Sequence, residues 1–148
     1  MHQESSFASC LKKQAELEQL FRECRTSDKK YEKIISIGRQ LSPYPDIYKT
    51  PENLVQGCQS TMYLGSYLDS ATNKMRFFAH SEALISSGLA ALLIRVYDQE
   101  SPEVVLKCPP LFLEKIGIQN SISPGRSNGL AGLFLKMKQQ SINCLSNI

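Results

Sequence analysis

The sequence lacks an apolar run long enough to cross a lipid bilayer. Its longest clean apolar run, Gly88 to Ile94, has seven residues, whereas a membrane-spanning helix needs roughly 20. The first residues, Met1 to Glu4, also lack the basic start and apolar stretch of a secretory signal. We therefore expect a cytoplasmic protein with no membrane partner.

A strong excess of charge is also missing. The 148 residues carry 17 Lys and Arg against 14 Asp and Glu, and the formal net charge of +3 is spread along the chain. This balance creates no field strong enough to hold nucleic-acid phosphates, so we expect no nucleic-acid partner. No repeat or low-complexity segment divides the chain. Its length suits one domain over residues 1–148, in which residues 1–9 form a loose N-terminal extension.

Cys-x-x-Cys pairs are absent, although the chain has five cysteines. Their odd number and wide spacing disfavour a disulfide framework and a zinc knuckle, so we expect free thiols and no metal. A free cysteine usually behaves as a small buried hydrophobic residue. We give that structural interpretation to four of the five: Cys10, Cys24, Cys108 and Cys144.

Helical periodicity predicts helices in the N-terminal and C-terminal parts of the chain. Apolar residues repeat every three to four positions in three segments, and two further short helices are indicated by a Ser-Pro start and by a glycine stop. The predicted helices run from Phe7 to Cys24, from a cap at Thr26-Ser27-Asp28 to before Pro43, from about Ser101-Pro102 to Lys107, from Leu111 to Ile116 with Gly117 as the stop, and from Leu130 onward.

The middle of the chain predicts a hairpin followed by a buried helix. Residues 61–68 and 75–80 are strand-like on either side of a polar turn, and Ala83 to Tyr97 is too long and too apolar for a strand. Ser81 and Glu82 are predicted to cap that helix. Residues 42–51, with three prolines, predict an extended connector, and residues 121–129 predict a loop. The sum is an α+β two-layer sandwich, with a small antiparallel sheet packed against helices, rather than a doubly wound parallel sheet.

The segment Val55-Gln56-Gly57-Cys58-Gln59-Ser60 is the most informative for chemistry. It lies between the connector and the first strand, where Gly57 can adopt backbone angles that other residues avoid and so present a thiol at a tip. Gln56, Gln59 and Ser60 can donate hydrogen bonds to a sulfur anion, which favours the thiolate of Cys58. Ordinary core packing of Cys58 is the alternative.

The chain resembles the SufE family of cysteine desulfuration proteins. The resemblance rests on the block from Pro51 to Ser60, the block from Leu89 to Asp98 and the block from Gly125 to Leu130, in that order. Two departures are visible: Tyr63 stands where the family often has Trp, and Gly125 where it often has Ser. The first could alter sheet packing, and the second could loosen the loop that carries Arg126.

The resemblance implies a SufE/NifU-like fold and a function in sulfur transfer. Cys58 matches the persulfide-forming cysteine, which accepts sulfur from a cysteine desulfurase, stimulates that enzyme and passes the sulfur to an iron-sulfur scaffold protein. The pyridoxal phosphate cofactor belongs to the desulfurase. The chain is then a sulfur carrier rather than a stand-alone enzyme, and a monomer or weak homodimer.

Three further residues are candidates around Cys58. Arg126 is always charged and offers several donors, so it can offset a buried sulfur anion, although a surface or capping role is an equal alternative. His80 and Glu82 lie near the second strand's end and are candidate contacts for the partner. A histidine without a fixed acid partner is more often structural.

Two other functions remain open from the sequence. A NifU-type scaffold would bind an iron-sulfur cluster through three cysteines with a carboxylate or histidine, and here only Cys58 lies in a presenting loop, with Cys108 as a second candidate. A hydrolase would use Cys58 as nucleophile and His80 as base. For the hydrolase, no orienting residue or oxyanion loop can be named.

Overall fold

A computed structural model of the chain describes residues 3–58, 60–118 and 122–146. A two-stranded antiparallel sheet lies among helices, which confirms the predicted α+β class. The helices are α1 (Gln3–Phe21), α2 (Ser27–Gly38), α3 (Leu84–Tyr97), α4 (Pro102–Lys107), α5 (Phe112–Lys115) and α6 (Pro124–Ser146), and the strands are β1 (Met62–Asp69) and β2 (Lys74–Ser81).

The predicted hairpin is confirmed, with a register that runs from the pair Met62 and Ser81 to the pair Asp69 and Lys74. Side chains alternate across its two faces. The face that packs against the helices buries Met62, Leu64, Met75, Phe77 and Ala79, and the other face carries a group of rings. The hairpin therefore separates a helix-covered layer from an aromatic layer.

Helix α3 is the centre of the core, as its apolar sequence predicts. Ten of its residues are buried, and the helix packs on β2, α2, α1 and α6. The crossing with α2 is close because glycines meet there: a Cβ atom at Gly38 would lie 2.7 Å from the backbone nitrogen of Gly88. Burial on most sides holds the N-terminal part of α3 in place, and this part contributes to the candidate site.

The predicted signals for three helix ends are confirmed. Thr26 Oγ1 accepts a hydrogen bond from Lys29 N at 3.2 Å, and Ser101 Oγ accepts one from Val104 N at 3.3 Å. Gly117, just after α5, has a φ of 70°, which allows the chain to leave the helix.

Four local predictions differ from the structure. Residues 3–9, expected as a loose extension, are the first turns of α1. The connector at residues 42–51 contains the 3₁₀ turn Asp46–Tyr48, and its last residue, Pro51, begins a second 3₁₀ turn, Pro51–Asn53, at a first helical position that needs no N–H donor. The N-cap of α3 is Ala83, so neither Ser81 nor Glu82 caps it, although Ser81 Oγ accepts a hydrogen bond from Ala83 N.

The last difference concerns the segment expected as a loop at residues 121–129. Helix α6 already begins at Pro124, so Arg126 and Gly129 lie in its first two turns. Ser123 Oγ accepts a hydrogen bond from Arg126 N at 3.3 Å, which is the bond of an N-cap residue. Residues 119–121 lie outside the described part of the chain.

No helix in the described ranges is both long enough and apolar enough to pass through a membrane.

Candidate functional site

The five thiols differ in their access to solvent. Cys10, Cys24 and Cys108 are buried in the core, whereas Cys58 and Cys144 are half-buried. Burial raises the pKa of Cys10 to about 12, which leaves it without a useful thiolate fraction at neutral pH. Of the two half-buried thiols, Cys144 lies near the end of α6, and Cys58 lies on a loop beside the exposed residues Gln56 and Gly57. Cys58 is thus the half-buried thiol that lies on a loop next to exposed residues.

The loop that carries Cys58 is anchored on one side by β1. Val55 N donates a hydrogen bond to Met62 O at 2.9 Å, and Leu54 forms a bridge with Tyr63. Gly57 has a φ of 89°, the left-handed region that side chains strain, so the turn before Cys58 requires glycine as the sequence predicted. The chain reverses at this point and directs Cys58 towards α6.

The loop that carries Cys58 packs on helix α6 at two glycines. A Cβ atom at Gly132 would lie 2.0 Å from Gln56 O, and one at Gly129 would lie 3.1 Å from Cys58 Sγ. The Cys58 thiol can donate a long hydrogen bond to Gly129 O, at 3.9 Å. Side chains at either glycine would push the loop away. Because glycine has no side chain, the loop lies directly on the helix backbone at Gly129 and Gly132. We call this contact the glycine seat.

A small cavity lies beside Cys58 Sγ. It holds about 10 Å³, which is the space of one water-sized group. Its walls come from the loop, β1, the first turns of α3 and α6, and they are largely apolar: Cys58, Met62, Ser86, Leu89, Gly125, Arg126, Gly129, Leu130 and Leu133. The cavity can receive one additional atom on the sulfur of Cys58.

Burial raises the pKa of the Cys58 thiol above its ordinary value of about 8.5. This direction is opposite to the one expected from hydrogen-bond donors in the loop. The side chain of Gln56 is exposed, and Ser60 Oγ lies 3.4 Å from Ser86 Oγ instead of bonding to the thiol. Gln59 lies outside the described residues. In this arrangement burial therefore favours the protonated thiol over the thiolate.

Arg126 lines the cavity from the first turn of α6 and is half-buried. No carboxylate of the described chain forms a salt bridge with its guanidinium. It lies on a helix rather than on the separate loop that the sequence predicted, because Ser123 and Pro124 start that helix early. Among the described residues of the cavity walls, it carries the one charged side chain.

His80 and Glu82 lie away from the cavity walls. The ring of His80 is on the aromatic face of the hairpin, 6.2 Å from the ring of Tyr44, whereas Met62 contributes to the cavity from the opposite face. Glu82 is exposed between β2 and α3. Tyr63 pairs with His80 across the sheet, and its ring lies 6.0 Å from that of Tyr44. A role of His80 or Glu82 in partner binding stays a prediction.

The two alternative functions find little support in the geometry. Within residues 3–58, 60–118 and 122–146, no three His, Cys, Asp or Glu side chains cluster as metal ligands. The sulfur of Cys108 is 3.8 Å from Gln14 Nε2, and that of Cys10 is 3.6 Å from the same atom, so Cys108 belongs to a different part of the core from Cys58. A Cys58 and His80 pair is separated by the hairpin.

The comparisons with known proteins decide the family. Residues 15–141 match a family model described as "SufE: Fe-S metabolism associated domain". This chain belongs to the SufE family. The predicted resemblance is thereby confirmed, and membership associates the chain with Fe-S metabolism.

Two curated SufE-family relatives cover most of the chain. The SufE-like protein 1, chloroplastic/mitochondrial, of Arabidopsis thaliana is 31% identical over 128 residues, which are 86% of this chain but 34% of that protein. The cysteine desulfuration protein SufE of Wigglesworthia glossinidia brevipalpis is 29% identical over 126 residues, which are 84% of this chain and 86% of that protein. The chain thus spans about a third of the first relative and most of the second.

A solved structure shows the same fold as this SufE-family chain. The solution structure of a hypothetical protein from Thermus thermophilus aligns with a TM-score of 0.74 and 24% identity, and the match covers 90% of this chain and 96% of that one. The likeness supports the architecture described above.

Several cavity residues were not predicted from the sequence. Ser86, Leu89 and Leu133 lie within apolar helical stretches, where the pattern indicates only burial. Gly129 follows Cys58 by 71 positions, so its contact with the thiol depends on tertiary structure. The Ser123-Pro124 pair was an available signal, since the same pair at Ser101-Pro102 correctly predicted the start of α4.

Proposed function

We propose that this chain is a sulfur-acceptor protein in which Cys58 takes sulfane sulfur from a cysteine desulfurase and passes it to iron-sulfur cluster assembly. The observation that carries the proposal is a half-buried thiol on a glycine-hinged loop, beside a cavity of about 10 Å³. Family membership and a relative named cysteine desulfuration protein support the same reaction class.

The transfer step is a thiol exchange at sulfur. The Cys58 thiolate attacks the outer sulfur of a persulfide on the desulfurase. A new S–S bond forms on Cys58, the S–S bond of the desulfurase breaks, and its cysteine leaves as a thiolate with the electron pair of that bond. The hydrogen of the outer sulfur, where present, moves with it. No external oxidant or reductant enters the balance.

The closed position of the loop suits storage rather than attack. Burial holds Cys58 protonated there by raising its pKa, so the thiolate forms when the loop leaves the glycine seat and meets the partner. Lowering a thiol pKa gains little in rate, because nucleophilicity falls as the thiolate fraction rises. Alignment of the two sulfurs can contribute several orders of magnitude. Docking on the desulfurase is therefore the main source of rate.

After transfer, the outer sulfur would occupy the cavity. Its apolar walls shield it from solvent reductants and oxidants, and the guanidinium of Arg126 offsets its negative charge. The space of about 10 Å³ beside Cys58 is enough for one added sulfur atom. Delivery to a scaffold protein reverses the movement: the acceptor thiolate attacks the outer sulfur, the S–S bond to Cys58 breaks, and Cys58 leaves as a thiolate.

The chain acts in this proposal as a carrier and as an activator of the desulfurase. The pyridoxal phosphate belongs to the desulfurase, and no metal is needed on Cys58. A cytoplasmic location and a monomeric or weakly dimeric state stay predictions, and the Arabidopsis relative carries the words chloroplastic/mitochondrial in its name.

Desulfurase turnover tests the proposal. A cysteine desulfurase is assayed for sulfide or alanine release with the wild-type chain, with Cys58→Ser and with Cys144→Ser. Cys144 is the other half-buried thiol and serves as the matched control. We expect stimulation by the wild type and by Cys144→Ser, and none by Cys58→Ser. Equal stimulation by Cys58→Ser would refute the role of Cys58.

A further inference from the structure

We propose that the hydroxyl of Ser86 binds the outer sulfur of the Cys58 persulfide by donating a hydrogen bond. The inference rests on the proposed function. Ser86 is the third residue of α3, is 9% exposed and lines the cavity together with Cys58. No sequence motif singles it out, since it lies between Ile85 and Ser87 in the apolar core helix.

The composition of the cavity makes a neutral donor important. Apart from Cys58, the described side chains in its walls are apolar or absent except for Ser86 and Arg126. An anionic sulfur that leaves water must recover hydrogen bonds, or its burial is strongly unfavourable. Arg126 supplies charge, and Ser86 supplies a short, directional donor from the opposite helix. The two side chains approach the cavity from α6 and α3.

The present partner of Ser86 leaves its proton available. Ser60 Oγ lies 3.4 Å from Ser86 Oγ, a long contact in which either oxygen can donate. A hydroxyl donates once and accepts through two lone pairs, and its hydrogen rotates freely. When sulfur arrives, Ser60 donates to Ser86 and Ser86 donates to the sulfur. The pair thus forms a relay from the Cys58 loop, through α3, to the stored atom.

The position of Ser86 in α3 adds to this effect. The N-cap residue, Ala83, offers no side-chain acceptor, so the N–H groups of the first turn keep their partial positive charge. Helix α3 is 14 residues long and buried on most sides, which holds Ser86 in place. A sulfur anion next to Ser86 is therefore favoured by the hydroxyl and by the helix end together.

Cyanide measures how well the outer sulfur is held. It attacks the outer sulfur, the S–S bond breaks, thiocyanate leaves, and Cys58 remains as a thiolate. The attack needs the loop to open, so a hydrogen bond in the closed state slows it. We load wild type, Ser86→Ala, Ser60→Ala and Ser141→Ala with a desulfurase and cysteine, and then record thiocyanate release. Ser141 is a buried serine that bonds to Met137 O in α6 and is the matched control.

We expect Ser86→Ala to release thiocyanate about tenfold faster than wild type, the effect of one hydrogen bond to a charged acceptor. Ser60→Ala, which removes only the relay, should release it a few-fold faster, and Ser141→Ala at the wild-type rate. Thermal melting of each variant checks the fold. Unchanged release from a folded Ser86→Ala would overturn the assignment, as would an equal acceleration in Ser141→Ala.

The pH profile separates binding of sulfur from a structural role. Cyanide also takes up a proton as the pH falls, which slows every variant alike, so the quantity compared at each pH is the ratio of the Ser86→Ala rate to the wild-type rate. That ratio should increase with pH as the outer sulfur on Cys58 ionises, because the hydroxyl of Ser86 binds the anion more strongly than the neutral sulfur. A loss of protection that is equal at all pH values would contradict the inference.

The two proposals fail in different ways. If the wild type never gains sulfur from the desulfurase, the function assigned to Cys58 is wrong. If the wild type and Ser86→Ala gain sulfur equally and lose it at the same rate, that function stands and only the role of Ser86 is wrong.

Discussion

The substitution Gly129→Ala tests whether the glycine seat on α6 holds the Cys58 thiol in place. The added Cβ atom would lie 3.1 Å from Cys58 Sγ and 3.4 Å from Cys58 Cα. Ordinary contacts of a Cβ atom begin near 3.4 Å, so one partner must move by a few tenths of an ångström. We expect the loop to move, because Gln56 and Gly57 are exposed whereas Gly129 lies within a helix of 23 residues.

Two effects follow from that displacement. The thiol loses part of its burial, so its raised pKa falls towards the ordinary value of about 8.5 and its thiolate fraction at pH 7.5 increases. The methyl group also occupies space beside a cavity of about 10 Å³, so a stored sulfur no longer fits. The global free energy of unfolding should stay within about 1 kcal/mol of wild type, because alanine gains about that amount over glycine inside a helix.

The assay is alkylation of Cys58 by iodoacetamide at pH 7.5, followed by mass spectrometry of the peptide, with persulfide lifetime as a second readout. We expect alkylation several-fold faster and sulfur lost several-fold faster in Gly129→Ala. Ala131→Gly, at an exposed neighbouring position of α6, changes helix propensity without touching the loop and should leave both rates unchanged. Wild-type rates in a folded Gly129→Ala would refute the account of the seat.

Three further predictions concern charge and protonation. The alkylation rate of Cys58 in the native chain should rise with pH around a midpoint above about 8.5, because burial raises the thiol pKa, and urea should return the midpoint to about 8.5. Arg126→Ala should shorten the persulfide lifetime about fivefold, which is the equivalent of roughly 1 kcal/mol for a partly exposed charge pair. Arg126→Lys should restore part of that lifetime. Thiocyanate release measures both effects. Lys13→Met should lower the free energy of unfolding in urea by about 2 kcal/mol, because Lys13 Nζ lies 2.6 Å from the buried carboxylate of Glu100. The control is the same change at the exposed Lys107, which should lower the free energy of unfolding by less than about 0.5 kcal/mol.

The sequence predicts the fold well where a local signal and burial agree. The hairpin, the apolar helix α3 and the caps at Thr26 and Ser101 follow from alternation, hydrophobicity and short-range hydrogen bonds. The start of α6 was predicted too late because Gly125, Asn128 and Gly129 favour turns in isolation. Packing against the Cys58 loop favours glycine at position 129 for a different reason, since a Cβ atom there would lie 3.1 Å from Cys58 Sγ.

The candidate site is predictable only in part. The block around Cys58 identifies the thiol, because the chemistry depends on adjacent residues. The cavity joins the loop to β1, α3 and α6, and no periodic pattern indicates that Ser86 and Leu133 meet there. The direction of the pKa shift also depends on burial, which outweighs donors such as Gln56 that extend into solvent.

The most direct test of the account is the position of the transferred sulfur. The chain is mixed with a desulfurase and cysteine, quenched, and analysed by intact mass and by the masses of its peptides. We predict the addition of one sulfur atom, located on the peptide that contains Cys58 and absent in Cys58→Ser. Sulfur on a peptide that contains Cys144 instead, or no sulfur on a chain that still stimulates the desulfurase, would contradict it.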